Sequence, residues 1–260
     1  MLFQIISDLH LEYYDDMPKL NYFFIKTAPN LILAGDICFY RHPNFIKFFK
    51  IVSKIYDNIF YVPGNHEYYT KNNYPDIALN VIDFIIKESL EPFENVYFIQ
   101  NSYIELDDTI ILGNTLWFRT HRNNKSKGVK LLTNSHYIIY ENKYMPSYTE
   151  IKNANNNQYK WLKNQIIDLN TTKKIIVVTH YLPSIKCINK KYENDKYNDL
   201  YYTDCQDLFY NVDYWICGHS HCPFDKMINN THIILNPRGT PDENTNYSKT
   251  LVINTSKSNL

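Results

Sequence analysis

Short apolar runs recur along the chain, and each stops abruptly at polar residues. Leu2 to Ile6 is the first, and it leads into Ser7-Asp8-Leu9-His10. Leu31 to Ala34 ends in Gly35-Asp36, and Ile59 to Val62 ends in Pro63-Gly64-Asn65-His66-Glu67. Runs so short and so uniformly apolar read as strands buried on both faces, as in a parallel sheet. Between them the period changes. Pro43 suits the first turn of a helix. Phe45, Phe48, Phe49, Val52 and Ile55 then recur at helical spacing, with Lys47, Lys50 and Lys54 interleaved. Pro75 and Ile77 to Leu90 predict a second amphipathic helix. Leu11 to Asn30 holds a polar patch, Tyr13 to Asp16, and a short apolar stretch, Tyr22 to Ile25. This alternation of strand and helix builds parallel sheets whose strand ends share one edge.

From Val96 the texture changes. Val96 to Ile99, Ser102 to Leu106 and Thr109 to Leu112 are short strands separated by one or two polar residues, which predicts a meander or hairpins. Gly113 to Trp117 closes that group. Asn153 to Asp168 carries Tyr159, Leu162 and Ile166 on one helical face. Ile175 to Val178 is again a strand, ending in Thr179-His180, and Asp213 to Cys217 leads into Gly218-His219-Ser220-His221. Ile185 to Gln206 reads as a long polar loop with one helical turn. The tail returns through Ile233 to Leu235, Asn236-Pro-Arg-Gly239 and Thr250 to Ile253. With no repeat and no linker, residues 1–260 are expected to form a single domain.

Composition narrows the class more than the chemistry. Of the 260 residues 44% are hydrophobic, enough for a large core and too many for a disordered chain. Basic and acidic residues balance at 27 each, so no global field points to nucleic acid or a membrane surface. No stretch approaches the roughly 18 apolar residues of a membrane span. The start lacks the basic region and apolar length of a secretory signal. The odd cysteine set (38, 187, 205, 217, 222) then fits reduced thiols in a cytoplasmic protein. Arg119 to Lys130 carries five basic residues and no acid. It reads as a solvated loop rather than a phosphate- or nucleic-acid-binding patch.

The strand ends carry the chemistry. Asp8, His10, Asp36, Asn65, His66, His180, His219 and His221 are all expected at one sheet edge. Asp8 and His10, two apart, face the same way on an extended segment. Carboxylate, imidazole and amide donors without thiolate suit Mn²⁺, Fe or Zn²⁺. They are too many for one tetrahedral ion and suit two ions sharing a carboxylate. Cys217, His219, His221 and Cys222 are too crowded for a zinc-finger spacing. His42, His121, His136 and His232 match no motif, and Trp117 and Trp215 read as core. Tyr40 and Arg41 follow the Asp36 strand end as ordinary loop residues, and Asn236 and Arg238 read as a turn.

Asp8-x-His10, Gly35-Asp36, Gly64-Asn65-His66-Glu67, Thr179-His180 and Gly218-His219-x-His221 together resemble, in order, the motif series of calcineurin-like metallophosphoesterases. The resemblance implies a four-layer α/β/β/α sandwich, two mixed sheets flanked by helices. It implies Asp8, His10, Asp36 and His221 around one metal and Asp36, Asn65, His180 and His219 around the other, with Asp36 shared. It further implies a hydroxide bridging the two ions as the in-line nucleophile and His66 assisting the leaving group. The chain departs from the protein Ser/Thr phosphatases, whose Gly-Asp-x-x-Asp-Arg-Gly is here Gly35-Asp-Ile-Cys-Phe-Tyr-Arg41. Lariat-debranching enzymes place Cys where Asp8 stands. Thr-His180-x-x-Pro-Ser184 and Asn236-Pro-Arg-Gly239 most resemble a loosely characterised phosphoesterase branch. Tyr181 and Thr240 there replace a frequent His and Tyr, changes aimed at substrate fit. The implied substrate is a small-molecule or nucleotide-like phosphate ester; the metal site serves monoester, diester and pyrophosphate bonds alike, and only the basic Arg119 to Lys130 run favours a diester. Nucleic acid is supported only by the Arg119 to Lys130 run. The competing class is a non-catalytic binding scaffold, which would be expected to have lost a histidine of this set.

Overall fold

The computed structural model describes residues 1–71, 77–119, 139–140, 143–144 and 146–256. Strands β1 (Leu2–Ile6), β2 (Asn30–Ala34) and β3 (Asn58–Val62) match the first three apolar runs to within a residue. Helix α1 (Leu20–Phe23) gives the first crossover only a single turn, whereas α2 (Pro43–Val52) starts at its proline as expected. A two-residue strand β4 (Thr70–Lys71) precedes α3 (Leu79–Leu90). Then come β5 (Val96–Phe98), β6 (Ser102–Leu106), β7 (Thr109–Asn114), β8 (Ile139–Tyr140) and β9 (Lys143–Tyr144). The last third holds α4 (Tyr148–Asp168), β10 (Lys174–Thr179), β11 (Tyr214–Cys217), β12 (Phe224–Ile228), β13 (Thr231–Leu235) and β14 (Val252–Asn254).

Two mixed sheets and a small antiparallel one, β4-β9-β8, result among the described residues. The first has the order β14-β1-β2-β3-β5, parallel except for β14; the second runs β12-β13-β11-β10-β7-β6, parallel at its centre with antiparallel edges. The uniform apolar runs are now explained. Phe3, Ile5, Ile32, Phe60 and Val62 meet Ile111, Ile176, Val178 and Ile216 between the sheets. The alternate residues Ile6, Leu31, Leu33, Ile59 and Tyr61 face outward onto Phe45, Phe49 and Val52 of α2 and Ile82 and Ile86 of α3. On the far side Ile110, Leu112, Ile175, Val177 and Trp215 cover Leu162 and Ile166 of α4. Both faces of each central strand are thus dry, so a period-two pattern has no polar half. The architecture is the expected α/β/β/α sandwich.

The meander prediction holds only in part. β6 and β7 form a hairpin, but β5 pairs in parallel with β3 and belongs to the other sheet. The chain changes sheets at Gln100-Asn101, where Asn101 takes a left-handed φ of 50°. Helix α4 begins five residues before Asn153, because Ser147 accepts from the Glu150 N–H and caps it. Residues 185–206 form three 3-10 turns rather than one. Pro75, His121, His136 and all of the basic run except Arg119 lie outside the described residues.

Candidate metal centre

The parallel strands of both sheets deliver their carboxyl ends to one cleft. Asp8 and His10 follow β1, Asp36 follows β2, Asn65 and His66 follow β3, His180 follows β10, and His219 and His221 follow β11. Backbone hydrogen bonds lace these ends together: Asp8 N to Gly35 O, His10 N to Asp36 O and Gly218 N to His180 O, all within 2.9–3.0 Å. The local backbone is costly. Asp8, His10, Asp36, His219 and His221 all adopt left-handed φ values between 48° and 67°. For a non-glycine residue this costs on the order of 1 kcal/mol each, and such strain clusters at functional sites. Gly35 and Gly64 supply the remaining clearance: a Cβ on Gly35 would collide with the His180 ring, and one on Gly64 with the Asp36 carboxylate.

Two adjoining groups, Asp8–His10–His221 and Asp36–His180–His219, each have ligand atoms mutually within 4.8 Å, and a third, His10–Glu12–His66, shares His10 with the first. Asp36 Oδ2 joins the first two: it lies 3.3 Å from His180 Nε2 and 3.9 Å from His10 Nε2. Asn65 Oδ1 adds a further oxygen 3.0 Å from His180 Nε2, and its amide donates to the Tyr69 hydroxyl at 2.7 Å. The ring orientations are set from behind. His180 Nδ1 faces the Ala34 carbonyl at 2.9 Å, His10 Nδ1 faces Glu12 at 3.1 Å and His221 Nδ1 faces Glu243 at 2.6 Å. Each acceptor keeps a proton on Nδ1, the arrangement that turns Nε2 toward a metal. His10 Nε2 and His221 Nε2 then confront each other at 3.0 Å, a contact that a shared proton or a cation between them would satisfy.

The electrostatics state the same demand. Burial pushes the Asp36 carboxyl up, but His180, His66 and His10 pull it well below the ordinary range. Burial likewise opposes the Asp8 carboxylate, and the hydrogen bond with His221 wins, lowering it. Burial disfavours charge on His180, yet Asp36 raises it to about 9; in His221 Asp8 and Glu243 overcome burial and raise it to about 10. Burial and the neighbouring His180 drive His219 down to about 3, leaving a neutral ring. Protons or metal cations can satisfy these carboxylates. The oxygen and imidazole donor set fits hard or borderline divalent ions, and among the described residues no thiol joins either group.

His66 stands beside both groups. Its backbone N–H donates to Asp36 Oδ1 at 2.8 Å, its ring stacks on Phe39, and its Nε2 is 4.0 Å from Asp36 Oδ2. Its Nδ1 shares Glu12 Oε1 with His10, at 2.7 Å. Burial opposes charge on Glu12, and the two histidines more than offset it, holding its pKa at about 2.

All eight predicted site residues therefore converge. Sequence reasoning missed Glu12, Glu67 and Glu243. Glu12 follows His10 by two residues, a spacing that could have revealed it. Glu67 belongs to the quoted Gly-Asn-His-Glu stretch; fully buried, it accepts from the Gly64, Asp36 and Ile37 N–H groups at 2.7–3.0 Å and clamps the β2 and β3 ends together. Glu243 had no local signal. Asn236 and Arg238 stay out of the cluster: Asn236 bonds the Ile5 and Ser248 carbonyls, and Arg238 reaches the Tyr22 hydroxyl. Trp117 and Trp215 are core. His42 caps α2, and His232 pairs with Asp225.

A family model described as calcineurin-like phosphoesterase matches residues 1–223. An uncharacterized protein of Acanthamoeba polyphaga mimivirus is 30% identical over 267 residues, covering 95% of this chain and 94% of its own length. Among solved structures, the phosphopantetheinyl hydrolase of Mycobacterium tuberculosis superposes with a TM-score of 0.73 at 18% identity, over 92% of this chain and 89% of that one. A Thermus thermophilus protein gives 0.53 at 11% identity, over 91% and 88%. At those identities the structures speak for the fold, and they share it.

Proposed function

We propose that this chain, which belongs to the calcineurin-like phosphoesterase family, is a hydrolase that cleaves a phosphate ester at a pair of divalent cations. Asp8, His10, Asp36 and His221 would hold one ion and Asp36, Asn65, His180 and His219 the other. The observation that carries this reading is Asp36 Oδ2, within 4 Å of a ring nitrogen from each group. Such ions supply Lewis acidity at the phosphoryl oxygens and bring the pKa of water toward neutrality.

The protein's own residues do the rest. Glu12 holds the His66 ring by its Nδ1, so that its Nε2 faces the cluster and can pass a proton to a departing oxygen. Phe39 and Tyr69 flank that ring and limit its swing. Imidazole, carboxylate and amide donors suit Mn, Fe or Zn. A diester is favoured over a monoester, because among the described residues no Lys or Arg lines the cleft to meet a second phosphate charge. Arg119 lies instead over the Tyr159 ring. Five free cysteines, four of them buried, support a reducing, cytoplasmic setting. No helix among the described residues is long and apolar enough to cross a membrane.

The test is turnover of bis- and mono-p-nitrophenyl phosphate with added Mn²⁺, alongside metal content by inductively coupled plasma analysis. The expected result is faster release from the diester, two ions per chain, and no turnover in chelator. His66→Ala should lose about 10²–10⁴ in kcat with metal content retained. A stoichiometry of one or none in metal-replete buffer, or an unchanged rate in Asn65→Ala, overturns the reading.

A further inference from the structure

The cleft above the metal-ligand cluster is much larger than a phosphoryl group. It encloses about 930 Å³ and continues from His219 and His221 onto Tyr192, Tyr197 and Tyr201. Clefts of roughly 300–1,000 Å³ accommodate whole small molecules. Tyr192 and Tyr201 line it and are 45% and 39% exposed. Tyr201 also packs on His219, with ring centroids 5.0 Å apart, so the wall is continuous with the cluster. Nor is this segment loose. The buried Asn198 side chain donates to the Tyr192 and Glu193 carbonyls at 2.7 and 3.2 Å, and Asp195 accepts from the Tyr197 N–H at 2.8 Å. The lip carries carboxylates, Asp195 on the tyrosine segment itself and Asp242 and Glu243 beyond it, and among the described lining residues there is neither Lys nor Arg.

We infer that this tyrosine wall selects phosphate esters bearing a planar aromatic group, a nucleobase or an aryl ring, and that the acidic lip rejects polyanions such as nucleic acid. The inference rests on the reading of the cluster as a phosphoester site. Lys191 and Lys196 lie over the Tyr192 and Tyr197 rings, 4.6 and 4.8 Å from the centroids, so a flat ligand would use the other face of each; one such contact changes affinity by roughly 5- to 150-fold. Carboxylates repel every further phosphate along a chain, a cost that a ligand with one phosphoryl group avoids.

The test is calorimetric binding to the Mn²⁺-loaded protein, independent of turnover. Methylphosphonate, phenylphosphonate, thymidine 5′-monophosphate and a ten-residue oligothymidylate are compared. At least one of the two aromatic ligands should bind about tenfold or more tightly than methylphosphonate. A gain by phenylphosphonate alone identifies aryl esters, and a gain by the nucleotide identifies nucleoside esters. Tyr192→Ala should shrink the preference to within about threefold, and Tyr192→Phe should restore it. Equal affinities in the wild type, or a preference unchanged in both Tyr192→Ala and Tyr201→Ala, overturn the wall. Tighter binding of the oligothymidylate than of the mononucleotide overturns the acidic lip. Preference without hydrolysis of bis-p-nitrophenyl phosphate sinks the hydrolase reading alone; hydrolysis without preference sinks this inference alone.

Discussion

Asp83 shows how strongly a single buried group can be set by its surroundings. It lies on α3, accepts from the Tyr68 hydroxyl, and receives the Gln100 amide at 3.3 Å. Gln100 also reaches Tyr68 and Thr115, and Thr115 donates to the Pro63 carbonyl just ahead of the Gly64-Asn65-His66 turn. Burial raises the Asp83 carboxyl to about 6, against the opposing pull of the Tyr68 and Gln100 hydrogen bonds. Its folded pKa lies above its unfolded value of 3.8, so the folded state binds this proton more tightly. Stability from this group is therefore greatest below about pH 4 and falls as pH rises through 6. The loss is on the order of 3 kcal/mol. Asp83→Asn keeps an acceptor for Tyr68 and removes the charge. Urea midpoints at pH 4, 5.5 and 7 should show the variant gaining on the wild type as pH rises; parallel curves would refute the assignment. Neither this network nor the Glu12–His66 and Glu243–His221 contacts could be read from the sequence, because the partners are 15 to 54 residues apart.

At the scale of elements, local rules succeeded where a segment's own residues decide its state. Pro43 opened α2, and Phe45, Phe48, Phe49 and Val52 all turned inward. The start of α4 was missed, although Ser147 and Glu150 have the spacing of an N-terminal cap. Ser147 Oγ receives the Glu150 N–H at 3.2 Å, while the Glu150 carboxylate receives the Leu79 N–H at 2.9 Å and so ties α4 to the start of α3. Ser147→Ala should cost about 1 kcal/mol by chemical denaturation, and Ser147→Gly only a few tenths. Equal losses in both would mean that the hydroxyl does not cap the helix. The β5–β6 junction failed for another reason. A short strand's pattern does not say which neighbour it will pair with, and β5 found β3 rather than β6.

For the whole molecule, the cluster is a joint between two sheets. Asp8, Asp36 and Asn65 come from the first sheet and His180, His219 and His221 from the second. Ions held by both sheets would oppose their separation, so Mn²⁺ should stabilise the entire fold. At ion concentrations near 100 times Kd each site adds about 2.7 kcal/mol. For a chain of this size that predicts a Tm at least about 5 °C above that in chelator. Asp36→Asn, which disturbs both groups, should abolish most of the rise. A Tm indifferent to Mn²⁺ would contradict binding across the sheets.

The sequence by itself determined the central strands of both sheets, their alternation with helices, and the eight polar residues at their ends; the edge strand β12 and the short β4, β8 and β9 had no such signal. These are local facts: a doubly buried strand must be apolar throughout, and a metal-like ligand set must interrupt it where the strand leaves the core. Only the tertiary structure decided which oxygen stands between the two ligand groups, which glutamates orient the histidines, and what walls the cleft. Those contacts join residues as far apart as His10 and His221. No periodicity encodes a meeting between separate strand ends; the packing of one sheet on the other creates it.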